Sequence, residues 1–200
     1  MNSPVKDDIM AVALLVIDIQ KDYFPGGKMP LVNPELAATE AKRLLDGFRS
    51  RHWPVIFMQH VSLSPTASFF LPNTDGITIH PLVAPQSGET ILVKHYPNSF
   101  RETRLLEVLQ QLQVTDLVIA GMMTHMCIDA STRQAADLGL SCFVAYDATA
   151  TRMLQFNGLT TQAPEVQTAF LSALNGTYAK VQSAASILAS PFSGPAPSVG

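Results

Sequence analysis

The stretch Val118-Ile119-Ala120-Gly121-Met122-Met123-Thr124-His125-Met126-Cys127-Ile128-Asp129 decides the fold. An apolar run rich in β-branched residues stops at Gly121, a short turn with polar residues follows, and helical spacing then begins with Cys127 in its first turn. Strand, tight turn and helix in that order place a sulfur at the carboxyl edge of a sheet, where open α/β folds bind ligands. A thiol there lies near unpaired backbone N–H groups and the positive end of a helix dipole, which favour thiolate over thiol. Cys127 therefore reads as a nucleophile. A pKa lowered by about two units would favour its thiolate by roughly 2.7 kcal/mol.

Outward from that stretch, buried-strand runs alternate with helical patterns. Met10 to Ile17 is continuously apolar, as in a central strand covered on both faces, and it ends at Asp18. Asn33-Pro34-Glu35 supplies an N-cap, a proline at the first helical position and an early acid, so residues 34–51 are expected to form an amphipathic helix. Pro54 to Gln59 is a second buried strand that delivers His60. Thr90 to Val93 is a short third strand ending in Lys94. Ser99 to Glu102 has capping-box spacing ahead of Leu105, Leu109 and Leu112. Asp116 to Ala120 is the fourth strand; Ile128, Thr132, Ala135 and Ala136 stripe the helix after Cys127, which Gly139 closes. Leu140 to Ala145 is the fifth strand, Pro164-Glu165 opens a helix that Gly176 stops, and Tyr178 to Val181 is a weak sixth strand. Short connections between alternating elements imply an α/β fold with a parallel sheet and helices on both faces.

Residues 60–89 show no period and hold four prolines: Pro65, Pro72, Pro81 and Pro85. Two readings stand: a surface excursion packed by its own Phe69, Phe70 and Leu71, or an active-site wall or subunit contact. Residues 1–188 read as one domain and 189–200, uncharged and aperiodic, as a frayed tail.

The composition excludes several function classes. The chain has 200 residues, 47% of them hydrophobic and 14% charged, with a net charge of -3, which provides a sizeable core and no basic footprint for nucleic acid. No apolar run reaches the roughly 18–20 residues that span a bilayer, so no membrane partner is expected. The polar start, Met1 to Asp8, lacks the apolar stretch of a secretion signal. Two cysteines, Cys127 and Cys142, make no disulfide framework, and a reducing cytoplasm is the expected setting.

Three buried strands thus end near residues that are unfavourable to bury alone: Asp18, Lys94 and Cys127. In a parallel sheet their carboxyl ends share one edge, so the three can converge. Lys94 would stabilise the Asp18 carboxylate, and Asp18 could accept the thiol proton.

With these residues in place, a resemblance becomes visible. Asp18-Ile-Gln20-Lys-Asp22-Tyr-Phe-Pro-Gly-Gly, a lysine after the third strand, and Ala-Gly121-Met-Met-Thr-His-Met-Cys127 together resemble the isochorismatase-like cysteine hydrolase family over about residues 10–188. That family includes nicotinamidases and N-carbamoylsarcosine amidohydrolases. The resemblance implies a three-layer α/β/α sandwich with a six-stranded, mainly parallel sheet of Rossmann type, and a catalytic triad at Asp18, Lys94 and Cys127. It also implies a non-proline cis peptide at Met122–Met123, turning the Met123 N–H beside the Cys127 N–H as an oxyanion hole. The implied chemistry is amide hydrolysis through a thioester, with Asp18 as base and acid, Cys127 as nucleophile and Lys94 holding Asp18. Metal-dependent nicotinamidases carry further histidines after the second strand; here only His60 is a candidate ligand, which argues against a metal, and against nicotinamide as substrate. No other cofactor is expected.

Candidate substrate-binding residues are Gln20, Tyr23, Phe24, His60, Phe100 and Met122. His125 is expected to satisfy backbone groups in the turn, Asp147 to make a structural hydrogen bond and Trp53 to pack at a strand entry. The expected substrate is a small amide, carbamoyl, ureido or lactam compound, cleaved with water. The apolar 60–89 loop suggests a homodimer or larger. The alternatives are a C–O hydrolase of the same family, or a non-catalytic sensor whose Cys127 is only oxidised.

Overall fold

The computed structural model of the chain describes residues 11–192. Six strands form one parallel sheet in the order β3-β2-β1-β4-β5-β8: β1 Ala11–Ile17, β2 Val55–His60, β3 Thr90–Lys94, β4 Val114–Met122, β5 Ser141–Ala150 and β8 Ala179–Gln182. Five helices accompany them: α1 Pro34–Ser50, α2 Leu105–Gln111, α3 Asp129–Asp137, α4 Ala163–Leu174 and α5 Ala184–Leu188. The strand order reverses between β1 and β4, so the crevice of this sheet opens at their carboxyl ends.

Strand periodicity splits the core into two layers. Val12, Leu14 and Val16 of β1 pack with Ala41, Leu45 and Phe48 of α1 and with Ile187 of α5. Ala13, Leu15 and Ile17 face the opposite way, toward Leu105 and Leu109 of α2, Ala135 of α3 and Leu174 of α4. A strand whose successive side chains point to opposite faces must be apolar throughout when both faces are covered, and every residue of β1 is buried. The architecture is the expected three-layer sandwich.

Several boundaries differ from the sequence reading. Asn33 does stand ahead of α1, but with φ of 53° and no capping hydrogen bond from its side chain. Asn is one of the few residues that tolerate this left-handed conformation. The capping box at Ser99–Glu102 does not form. Glu102 itself has φ of 56°, and the Leu105 N–H is met by the Thr103 hydroxyl at 3.2 Å. β5 runs five residues past Ala145 because a register shift after Ile119 lets Thr149 and Ala150 pair with Gly121 and Met122. An antiparallel hairpin, β6 Leu154–Phe156 and β7 Leu159–Thr161, was not foreseen; α5 was not either. Both are too short for periodicity to reveal. In the tail, Phe192 lies edge-on to Phe143 (4.8 Å) and Trp53 (6.4 Å), so its described part packs on the body. Met10 and residues 193–200 lie outside the described residues. No described helix is long and apolar enough to cross a membrane.

Candidate active site

Three strand ends bring the charged and nucleophilic groups together. Asp18 follows β1 with φ of 52° and is fully buried. Lys94 closes β3 in register with His60 of β2, and it too is fully buried. Cys127, 3% exposed, sits in a wide π-type turn, Thr124–Ile128, rather than in the first turn of α3. Gly121 lets β4 reach this turn. A Cβ there would lie 2.0 Å from the Ile17 carbonyl oxygen, and its φ of 136° suits only glycine. The Met122–Met123 peptide is cis, as the resemblance implies.

The Lys94 ammonium is the hub. Its Nζ lies 2.7 Å from Asp18 Oδ2, 3.3 Å from Cys127 Sγ, 3.0 Å from His60 Nδ1 and 3.0 Å from the Tyr96 carbonyl. An ammonium has no lone pair, so the His60 contact requires Nδ1 to accept and Nε2 to carry the ring proton. Among the described residues, neither Asp18 oxygen has a well-aligned hydrogen-bond donor, so the carboxylate is held by its ion pair with Lys94 and keeps capacity to accept a proton.

Burial opposes every charge here, and neighbours decide which survive. Burial favours the neutral Asp18 acid, yet its neighbours, the Lys94 charge first, outweigh it and hold the carboxyl below the ordinary range. Burial likewise opposes the Lys94 charge, and Asp18 with Cys127 raises its pKa nonetheless. For Cys127 the balance falls the other way. Burial first, and then the Asp18 charge, push the thiol up to about 12, against the opposing pull of Lys94. The expected resting thiolate is therefore corrected: the ground state is carboxylate, ammonium and thiol. Closeness to a cation does not lower a thiol pKa when the same cation already serves an anion and water is excluded.

The metal question also changes. Asp18, His60 and Cys127 offer three ligand atoms within 4.8 Å of one another, where the sequence offered one histidine. All three atoms lie within about one hydrogen-bond or ion-pair length of Lys94 Nζ, which stands where an ion would sit. The donor set does not fit a metal while that ammonium is in place.

The remaining candidates fall into place around the hub. Gln20 is buried and spends its amide on backbone: Nε2 donates to the carbonyls of His60 and Ile77, both at 2.9 Å, and Oε1 accepts from His60 N–H at 2.7 Å. It fastens β1 to β2 and to the long loop. Tyr23 is buried against Phe70, ring centroids 4.6 Å apart. Its phenol is raised by burial first, then by Cys127 and Asp18, so it stays protonated beside them. Phe70, fully buried, also lies 5.6 Å from the His60 ring, so the 60–89 loop turns its aromatic residue inward as a wall. Phe24 stacks on His80 at 3.8 Å and lines a cleft of about 570 Å³ with Lys21, Lys28 and Phe69. Met122 is buried in the α1 layer, whereas Phe100 packs on the opposite layer near Leu105.

Other residues hold the frame, some of them not foreseen. Asp22 is buried and accepts from Phe70 N–H at 2.6 Å and Lys28 N–H at 3.1 Å, which pins the loop. Gln167 of α4 accepts from the Thr124 hydroxyl at 2.7 Å and donates to the Thr149 hydroxyl at 2.8 Å, tying the nucleophile turn to β5. His125 pairs with the Thr151 hydroxyl at 2.6 Å, not with backbone groups. Asp147 accepts from Ala184 N–H at 2.8 Å, a structural bond as expected. No local pattern marks Gln167 as a partner of Thr124, because the two are distant in sequence and meet only when α4 packs.

Comparison with known proteins agrees with this fold. The family model for the isochorismatase domain matches residues 12–186. The isochorismatase family protein YddQ of Bacillus subtilis is 50% identical over 179 residues, covering 90% of this chain and 99% of its own length. Nicotinamidase 3 of Arabidopsis thaliana is 30% identical over 151 residues, 70% of this chain and 73% of that protein. A crystal structure from Oleispira antarctica, named for the isochorismatase hydrolases, superposes with a TM-score of 0.87 at 48% identity, covering 95% of this chain and all of the other. The matched range of the family model and the extent of these likenesses show that the chain belongs to the isochorismatase family of hydrolases.

Proposed function

We propose that the protein hydrolyses a small-molecule C–N bond through a thioester on Cys127. The observation that carries this reading is the contact of one buried ammonium with both Asp18 Oδ2 (2.7 Å) and Cys127 Sγ (3.3 Å). Asp18 takes the thiol proton as Sγ attacks the carbonyl carbon. The proton transfer is uphill in the resting site, so the thiolate forms together with the attack rather than before it. The backbone N–H groups of Met123 and Cys127 stabilise the developing oxyanion; such a donor is worth about 3–4 kcal/mol. Protonated Asp18 then gives its proton to the departing amine or ammonia and serves as base for the water that cleaves the thioester. Lys94 keeps its charge throughout and holds Asp18.

Amide chemistry in a relative named nicotinamidase supports the C–N reading over C–O cleavage. A thiol that is 3% exposed and pushed up to about 12 is poorly suited to a redox sensor, which needs an accessible thiolate. The reading includes a cytoplasmic homodimer or larger assembly. The exposed apolar residues that favour assembly are Leu63 (65%) of the 60–89 loop together with Phe156 (87%) and Leu159 (74%) of the hairpin. Light scattering giving a monomer mass would remove that part.

The test is a panel of primary amides, carbamoyl, ureido and lactam compounds read by product release, with Cys127→Ala alongside. Turnover by the native protein that Cys127→Ala lowers by at least about a thousandfold is expected. Turnover that survives the substitution would sink the thioester mechanism.

A further inference from the structure

Lys94 has three N–H donors to give, and the structure does not aim them at its nearest neighbour. Nζ makes aligned hydrogen bonds to His60 Nδ1 at 3.0 Å, to the Tyr96 carbonyl at 3.0 Å and to Cys127 Sγ at 3.3 Å. Asp18 Oδ2 is closer, at 2.7 Å, yet among the described residues neither carboxylate oxygen has an aligned donor. A carboxylate is a stronger acceptor than a thiol sulfur, and a lysine stem adjusts easily. Fixed acceptors on the other side must therefore set the direction of the ammonium.

His60 is held firmly enough to be one of them. It closes β2 directly opposite Lys94 in the β2–β3 register, and the next residue, Val61, donates its N–H to the Lys94 carbonyl at 3.0 Å. Gln20 grips the His60 backbone at both ends, accepting from its N–H at 2.7 Å and donating to its carbonyl at 2.9 Å. The ring leans on the buried Phe70, centroids 5.6 Å apart. With backbone and ring both fixed, the Nδ1 lone pair has one place to point, and Lys94 Nζ occupies it. Tyr96 supplies the second acceptor from Lys94's own segment, two residues on.

We infer that His60 is a positioning residue for Lys94: with the Tyr96 carbonyl it takes two ammonium protons, aims the third at Cys127 Sγ and leaves Asp18 free to receive the thiol proton. In the attack the S–H bond breaks, its proton bonds to an Asp18 oxygen, and the sulfur electron pair bonds to the substrate carbonyl carbon. Lys94 keeps all three protons and donates one hydrogen bond to the negative charge that grows on sulfur. Without the Nδ1 acceptor the ammonium would turn to Asp18, stabilising the carboxylate as it stands and leaving the sulfur without its donor. The role in turnover rests on the thioester reading; the aiming of the ammonium does not.

Two measurements separate these. In the first, iodoacetamide labels the native protein, H60F and H60N at pH 9, the rate being read on the Cys127 peptide and folding checked by thermal unfolding. H60F keeps a ring against Phe70 and removes the acceptor, and its rate is expected to fall about tenfold or more. H60N, whose Oδ1 stands where Nδ1 stood, is expected to stay within about threefold of native. If H60F does not fold, H60L carries the same comparison. A purely packing role predicts the opposite sign, since a loosened site exposes the sulfur. A rate in H60F equal to or above native, a loss in H60N as deep as in H60F, or no labelling of native Cys127 overturns the inference. In the second, the amide panel is repeated on the three proteins. In H60F kcat is expected to fall about tenfold or more with KM little changed, and H60N to recover most of it. A loss confined to KM would make His60 a substrate contact and overturn the inference. The labelling pattern without hydrolysis of any compound sinks the thioester reading alone. Cys127-dependent hydrolysis that H60F leaves intact sinks the positioning role alone.

Discussion

At the scale of single residues, the site is a case of one cation serving two acidic groups away from water. Burial first, and then the charge of Asp18 that Lys94 holds in place, push the Cys127 thiol up to about 12 against the opposing pull of Lys94 itself. Thiolate absorbance of the Cys142→Ala protein should therefore show no ionisation of Cys127 below pH 9; a midpoint near neutrality would contradict the resting state described above. Removal of Lys94 should be harsher than removal of both charges. Lys94→Met leaves Asp18 buried and unpaired, and denaturant unfolding should show a loss of about 3–5 kcal/mol. Lys94→Met with Asp18→Asn should recover a good part of that loss while remaining inactive.

At the scale of elements, two features set where the sulfur lies. Gly121 brings β4 against the Ile17 carbonyl, so Gly121→Ala forces a Cβ into backbone and should destabilise by about 4 kcal/mol or more, measured by chemical denaturation. Gln167 ties the nucleophile turn to β5 through Thr124 and Thr149. Gln167→Ala should lower kcat on any substrate turned over by the panel by about tenfold with a smaller change in KM, since it loosens the turn without touching the substrate. Gln167→Glu, which keeps the acceptor for Thr124, should lose less. A stability change with kcat untouched would reduce Gln167 to a packing role.

At the scale of the whole molecule, both cysteines are buried and both thiols are pushed up to about 12, burial being the leading cause in each. A folded-state pKa raised above 9.0 contributes stability that is whole below pH 9 and is lost as pH rises toward 12. The contribution is at most about 4 kcal/mol for each thiol. Thermal unfolding across pH 8–11 should show a steep alkaline decline, and Cys127→Ala and Cys142→Ala should each flatten it. A decline of the same slope in the double variant would assign it to other groups.

How far the chain could be read from its residues depended on the range of the physics involved. β1, buried on both faces, is continuously apolar, and α1 repeats its apolar residues at helical spacing, so hydration alone marks both. Because parallel strands place their ends on one edge, Asp18, Lys94 and Cys127 could be paired from sequence. The hairpin and α5 escaped because three to five residues carry no period. The protonation state of Cys127 and the Lys94 nitrogen lying among three metal-type ligands belong to the tertiary structure only. Each is a balance of desolvation against a few close charges. Burial and distance fix that balance, and neither exists until the strands and loops have packed.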